Sequence, residues 1–158
     1  TPGGVHMSTG LEHDAFGRRT EDTSVRIEQV DKRQRKFDVA QASEPLEPRS
    51  FGADDADTLV ISWGSNEGAI VEAMELLDGP VRFLSVPYLS PRPDLTAAVE
   101  VASQVIVVEC NATGQFADLI EHDTMTRVER INKYDGVRFK ADELAAAIAE
   151  RSQMEVPA

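Results

Sequence analysis

Thr58-Leu59-Val60-Ile61-Ser62-Trp63-Gly64-Ser65-Asn66-Glu67-Gly68 is the stretch that decides the fold. Its first six residues form a nearly continuous apolar run, the pattern of a strand buried on both faces rather than one. Gly64 to Gly68 follows as a tight turn, with Ser65 available to cap a helix. Ala69 to Leu77 then places Ile70, Met74 and Leu77 at helical spacing, and Gly79-Pro80 stops it. Strand, turn and helix recur downstream. Val81 to Leu89 reads as a strand ended by Ser90-Pro91-Arg92-Pro93, and Asp94 caps a short helix reaching Ala102. Gln104 to Glu109 is a third buried strand, and Thr113 caps a helix from Gly114 to about Glu121. Thr126 to Ile131 is a more polar strand near an edge, and Ala141 to Ser152 is a closing helix. Alternation of this kind predicts an α/β fold, a mostly parallel sheet with helices on both faces.

Upstream the signals weaken. Residues 1–22 carry no sustained period and read as an irregular leader, and Thr23 to Ala40 is a polar helix capped by Asp22 or Thr23. Such a helix needs something to pack on. Its cluster Lys32, Arg33, Arg35 and Lys36 suits the helix dipole, and could also dock an acidic partner. Pro45, Pro48, Gly52 and Asp54-Asp55-Ala56-Asp57 mark 41–57 as a linker. The expected organisation is therefore a leader and helix over 1–40 continuing from a preceding domain, a linker over 41–57, and a C-terminal α/β domain over 58–158. The chain opens on Thr1 with Pro2-Gly3-Gly4, which reads as a start within a longer protein.

Composition limits the partners. The 158 residues carry 28 acidic and 16 basic side chains, a net charge of −12. That balance disfavours non-specific binding to nucleic acid or anionic membranes. Only four of the basic residues are lysines, so the surface is of the acid-rich kind that stays soluble in high salt, and a halophilic source is expected. No apolar run approaches the ~20 residues of a membrane span, and no signal peptide is legible. A single thiol, Cys110, excludes a disulfide framework and any four-thiolate metal site within the chain, and it fits the cytoplasm.

In a sheet of this kind ligands gather at the carboxyl ends of the strands. Three polar turns lie there: Gly64 to Gly68, Tyr88 to Pro93, and Cys110-Asn111-Ala112-Thr113-Gly114-Gln115. The first is neither a dinucleotide fingerprint nor a P-loop, and Glu67 repels phosphate, so a plain strand-to-helix turn is the stronger reading. Cys110 as a nucleophile needs a base and an orienting group, and His122, at a helix end, is a poor candidate. The three aspartates at 54, 55 and 57 have no other patterned ligand nearby. His6 and His13 lie in the leader. Glu12-His13-Asp14 could bind a metal or move a proton, but consecutive residues rarely converge on one ion, which favours loop hydrogen bonding. No residue is assigned as catalytic or metal-binding. Gly64, Ser65, Asn111, Thr113 and Gln115 are the candidate rim contacts.

Taken in order, the motifs resemble one family. Thr9-Gly10-Leu11-Glu12-His13-Asp14 with Gly17, the helix with Arg26, Lys32, Arg33 and Lys36, Trp63-Gly64-Ser65 with Gly68, and Tyr88-Leu89 with Pro91 and Pro93 come first. Val107-Val108-Glu109 with Asn111, Thr113, Gly114 and Gln115, then Lys133-Tyr134-Asp135-Gly136 with Phe139, complete the set. Each is weak alone; the ordered set is similar to the C-terminal part of 2-oxoacid:ferredoxin oxidoreductase alpha subunits, closer to the 2-oxoglutarate than the pyruvate type. The resemblance implies a fold like the C-terminal domain of transketolase. It also implies a complex that converts a 2-oxoacid to an acyl-CoA using thiamine diphosphate with magnesium, and passes electrons through iron–sulfur clusters to ferredoxin. The chain itself lacks a cluster's thiolates and any GDG pattern with a downstream Asn for magnesium and diphosphate, so those cofactors are expected elsewhere, with a beta subunit as partner. On this reading the chain alone is inactive, and the rim residues touch CoA or a neighbouring subunit. The rival readings are an independent small-ligand-binding α/β domain that uses the same rim, and an enzyme acting through Cys110 or the His13 cluster.

Overall fold

The computed structural model describes residues 2–5, 10–43 and 46–154, and the chain divides into two compact units, Thr1–Pro45 and Leu46–Ala158. His6 and Thr9 lie outside the described residues.

In the first unit, α1 spans Thr23–Ser43. Asp22 caps it: its Oδ1 accepts the Ser24 and Val25 N–H groups at 2.8 and 3.2 Å. Those hydrogen bonds, with one from the Ser24 hydroxyl, hold the Asp22 carboxyl below the usual range. None of the helix's described side chains is buried, in keeping with its sparse apolar positions.

The second unit is a five-stranded sheet. Its strands are β1 (Arg49–Gly52), β2 (Thr58–Trp63), β3 (Val81–Val86), β4 (Gln104–Glu109) and β5 (Glu129–Asn132), in the spatial order β1-β3-β2-β4-β5. All neighbours pair in parallel except β1, which runs antiparallel to β3. Helices α2 (Glu67–Met74), α3 (Thr96–Val101), α4 (Gln115–Thr124) and α5 (Ala141–Ser152) cover both faces.

The alternation along each strand explains the two-sided burial. Val60, Phe83, Ile106 and Val108 pack with Ile70, Leu144 and Ile148 on the α2–α5 face. Leu59, Ile61, Leu84, Val105 and Val107 pack with Val99, Phe116 and Ile120 on the α3–α4 face. Each such side chain contributes about 1.5–3 kcal/mol by leaving water. That is why β2 and β4 read as unbroken apolar runs.

The linker reading of 41–57 is overturned at its start and in its middle. Helix α1 continues to Ser43, and Arg49–Gly52 is a strand. An edge strand pairs on one side only and buries little, so a single Phe suffices. Phe51 stacks on its register partner Phe83 with ring centroids 5.5 Å apart. Gly52, at φ +82°, closes the strand where a Cβ would collide with the Val81 carbonyl. Smaller differences follow from local capping. A 3-10 turn over Gly64–Asn66 runs straight into α2, which starts at Glu67, and neither Ser65 nor Asn66 makes a side-chain cap bond. Strand β3 ends at Val86 rather than Leu89, and β5 is Glu129–Asn132 rather than Thr126 to Ile131. Asp94 is not the cap of α3: Leu95 holds that position, and Asp94, one residue before it, accepts the Thr96 N–H at 2.9 Å.

A comparison of two glycines tests the edge strand. Gly64 also has positive φ (+73°), but its Cβ would meet open space. Gly64→Ala is expected to cost about 1 kcal/mol of backbone strain, or about 2–4 °C in thermal midpoint. Gly52→Ala adds a steric clash with the β3 backbone and should cost at least twice that. Equal midpoints for the two variants in a thermal melt would contradict the assigned pairing of β1.

Candidate functional site

Strands β2 and β4 are neighbours, and the chain leaves β2 towards β3 on one side and β4 towards β5 on the other. The crevice outside the carboxyl ends of β2 and β4 is therefore the topological switch point of the sheet, the position where such folds hold ligands. In register Ser62 faces Val108, which brings the Gly64–Asn66 turn against the Cys110–Gly114 turn.

Polar contacts join these turns. The Ser62 hydroxyl, buried in β2, donates to the Val108 carbonyl at 2.6 Å and accepts from Asn66 Nδ2 at 3.2 Å. The Cys110 thiol donates to Asn66 Oδ1 at 3.2 Å. Above this network opens a cavity of ≈ 620 Å³, bordered by Ser65, Cys110, Phe139 and Lys140 among others.

The β4–α4 turn is organised by a residue that sequence reading left unassigned. Glu109 is 1% exposed. Its Oε1 accepts the Ala117 N–H and its Oε2 the Phe116 N–H, both at 3.0 Å. A buried carboxylate thereby meets the unsatisfied donors of the first turn of α4. Asn111 Nδ2 donates to the same Oε2, while Asn111 Oδ1 accepts from Gly114 N–H at 2.7 Å and Thr113 N–H at 3.2 Å. Asn132 Nδ2 donates to the Asn111 carbonyl at 2.9 Å, fixing the turn to the end of β5. Thr113 is thus not the cap of α4. Gly114, at φ 72°, occupies the cap position, and Glu109 reaches the helix from the preceding strand. The signal was an acidic residue ending an apolar run, six residues before the helix start.

The five candidate residues separate accordingly. Gly64 and Ser65 are exposed on the β2 turn, and Ser65 borders the cavity. Asn111 has both ends of its amide engaged within the turn. Thr113 and Gln115 are exposed on the α4 side and do not border the cavity. His122 Nδ1 lies 3.1 Å from Asp123 Oδ1, and the Cys110 thiol is given to Asn66, so these two do not act on each other. Asp54 faces Arg82, while Asp57 accepts from Ser103, so the acidic cluster is divided between partners.

In the first unit, Glu12 makes a bidentate ion pair with Arg33, both bonds at 2.9 Å, which holds the Glu12 carboxyl below its usual range. Asp14 Oδ1 accepts the Phe16 and Arg18 N–H groups at 2.9 Å, and His13 Nδ1 lies 3.0 Å from the Asp14 carbonyl. The Glu12-His13-Asp14 motif builds a loop and ties it to α1. Among the described residues no group of three or more His, Cys, Asp or Glu is placed to hold a metal ion. With one cysteine, the residues present do not fit an iron–sulfur cluster.

Fold and crevice together define a doubly wound α/β domain with a crevice at its β2–β4 switch point. No family model matches the chain. It is 35% identical over 148 residues to "2-oxoacid:ferredoxin oxidoreductase 2, subunit alpha" of Aeropyrum pernix, covering 89% of this chain and 23% of that protein. It is 29% identical to 2-oxoglutarate oxidoreductase subunit KorA of Mycobacterium tuberculosis, over 94% of this chain and 23% of that one. Among solved structures it is similar to the 2-oxoglutarate:ferredoxin oxidoreductase of Magnetococcus marinus with 2-oxoglutarate, coenzyme A and succinyl-CoA bound. There the identity is 27% and the TM-score 0.70, with 96% of this chain and 27% of that chain covered. The chain is a relative of the 2-oxoacid:ferredoxin oxidoreductase alpha subunits, as its ordered motifs implied. It spans about a quarter of the length of the relatives it matches.

Two measurements follow. Glu109→Gln keeps the shape but loses the charge and offers an N–H₂ group to the two backbone donors, so it should destabilise by about 1–3 kcal/mol in urea unfolding. An unchanged midpoint would remove Glu109 from its assigned role. Separately, Arg92 Nε pairs with Asp123, and that hydrogen bond holds the Asp123 carboxyl below its usual range. The folded pKa is depressed, so this contribution is present above the unfolded aspartate pKa, about 3.9, and is lost as pH falls through the folded value. Arg92→Gln should therefore flatten the loss of thermal midpoint below about pH 4, while a parallel acid limb would contradict the pairing.

Proposed function

We propose that this chain is the C-terminal scaffold and subunit-contact part of the alpha subunit of a 2-oxoacid:ferredoxin oxidoreductase, of the 2-oxoglutarate type. Its complex carries out oxidative decarboxylation to an acyl-CoA in the cytoplasm. The observation that carries this reading is the match of nearly the whole chain to a part of such enzymes, by sequence and by fold. The lack of a thiolate set supports placing the iron–sulfur cluster elsewhere. Thiamine diphosphate and magnesium are assigned, by the same reading, to the rest of the alpha subunit and to a beta subunit. Within that assembly the exposed Gly64, Ser65, Thr113 and Gln115 form a contact edge for CoA or a neighbouring subunit, with Asn111 shaping it from behind. Nucleic acid and membranes are not partners on this reading. No helix among the described residues is long and apolar enough to cross a membrane.

Deleting the segment from Leu46 onward in a full-length alpha subunit is expected to abolish co-elution with the beta subunit. Retained co-elution would remove the contact role. The acidic surface also supports a salt-adapted source, since carboxylates hold water where salt screens charge. The thermal midpoint of the chain is expected to rise with KCl up to molar concentrations. A maximum at no added salt would contradict this.

A further inference from the structure

Residues 46–158 carry 20 acidic and nine basic side chains. In so acidic a unit a cation finds a carboxylate easily, and six of the nine are ion-paired: Arg49, Arg82, Arg92, Arg130, Lys133 and Arg151. Arg127, Arg138 and Lys140 have no ion-pair partner among the described residues. Two of these three, Arg138 and Lys140, border the cavity at the β2–β4 switch point. The cavity, ≈ 620 Å³, lies within the roughly 300–1,000 Å³ range of small-molecule sites. Ser65 borders the same cavity, and the Ser62–Asn66–Cys110 hydrogen-bond network holds the wall beside it in place. Phe139, Leu76 and Ala69 supply apolar surface.

We propose that this crevice binds a small organic anion, with Arg138 and Lys140 holding the charged group and Ser65 donating to it. The occupant carries one charged group and a short apolar body. Glu72 and Asp142 also border the cavity, and their two carboxylates disfavour a polyanion such as a nucleoside polyphosphate. One of the Asp142 oxygens, Oδ1, accepts the Glu143 N–H at 2.9 Å. This site does not depend on the subunit-contact role, which involves other rim residues apart from Ser65.

Cys110, exposed at the cavity and the chain's single thiol, provides the reporter. The 158-residue chain is alkylated with iodoacetate, itself a small carboxylate, and in parallel with neutral iodoacetamide. If the site exists, the rate with iodoacetate saturates with reagent concentration, while that with iodoacetamide rises linearly. Butyrate and inorganic phosphate slow the first reaction at constant ionic strength. Arg138→Gln and Lys140→Gln each lower the iodoacetate-to-iodoacetamide rate ratio roughly tenfold, the loss of one charge-assisted hydrogen bond, and leave the iodoacetamide rate unchanged. Linear kinetics with both reagents, or slowing by sodium chloride equal to that by butyrate, overturns the proposal. Competition on the unsubstituted chain decides the matter even where a variant does not fold. Failure here leaves beta-subunit co-elution untouched, so the two readings fall separately.

Discussion

A carboxylate at the end of β4 sits almost wholly out of water and finds its compensation in the first turn of α4. An ionised group of that size pays heavily for desolvation unless strong donors surround it. Glu109 has two backbone N–H groups and one amide donor, and this requirement fixes where α4 begins relative to β4. The same anchor sets the Asn111 turn, and Asn111 in turn holds Asn132 at the end of β5. Strand order, turn shape and helix start on this side of the sheet are thus linked through one side chain.

Most of the fold could be read from the sequence because the central strands are buried on both faces. The bounds of β2, β4 and α5 match the apolar runs that announced them. The edges were less legible for the opposite reason. Strand β1 offers one aromatic residue among polar neighbours, and its identity as a strand depends on Phe83, more than 30 residues away. Helix starts were misplaced wherever a serine or threonine was expected to act as cap. At α2 no side chain does so, and at α4 the cap comes from the preceding strand.

The candidate site was legible in position but not in composition. The strand-end rule located the crevice, and Ser65 lies on it. Asn111 could not be separated from a ligand contact by spelling alone, since a turn amide and a binding amide look alike in sequence. Arg138 and Lys140 escaped notice because they arrive from the loop after β5, more than 70 residues from the β2 turn, and because a basic residue is conspicuous only once its neighbours are known to be otherwise paired.

The two outermost strands have four residues each, Arg49–Gly52 and Glu129–Asn132. Arg49 reaches Glu67, and Arg130 is clamped by Asp118 and Glu121. Short, charged borders of this kind make poor templates for a further strand from another chain. Extension of the sheet is thereby disfavoured, and the surfaces this unit leaves open are those of its loops and helices and not the backbone ladder.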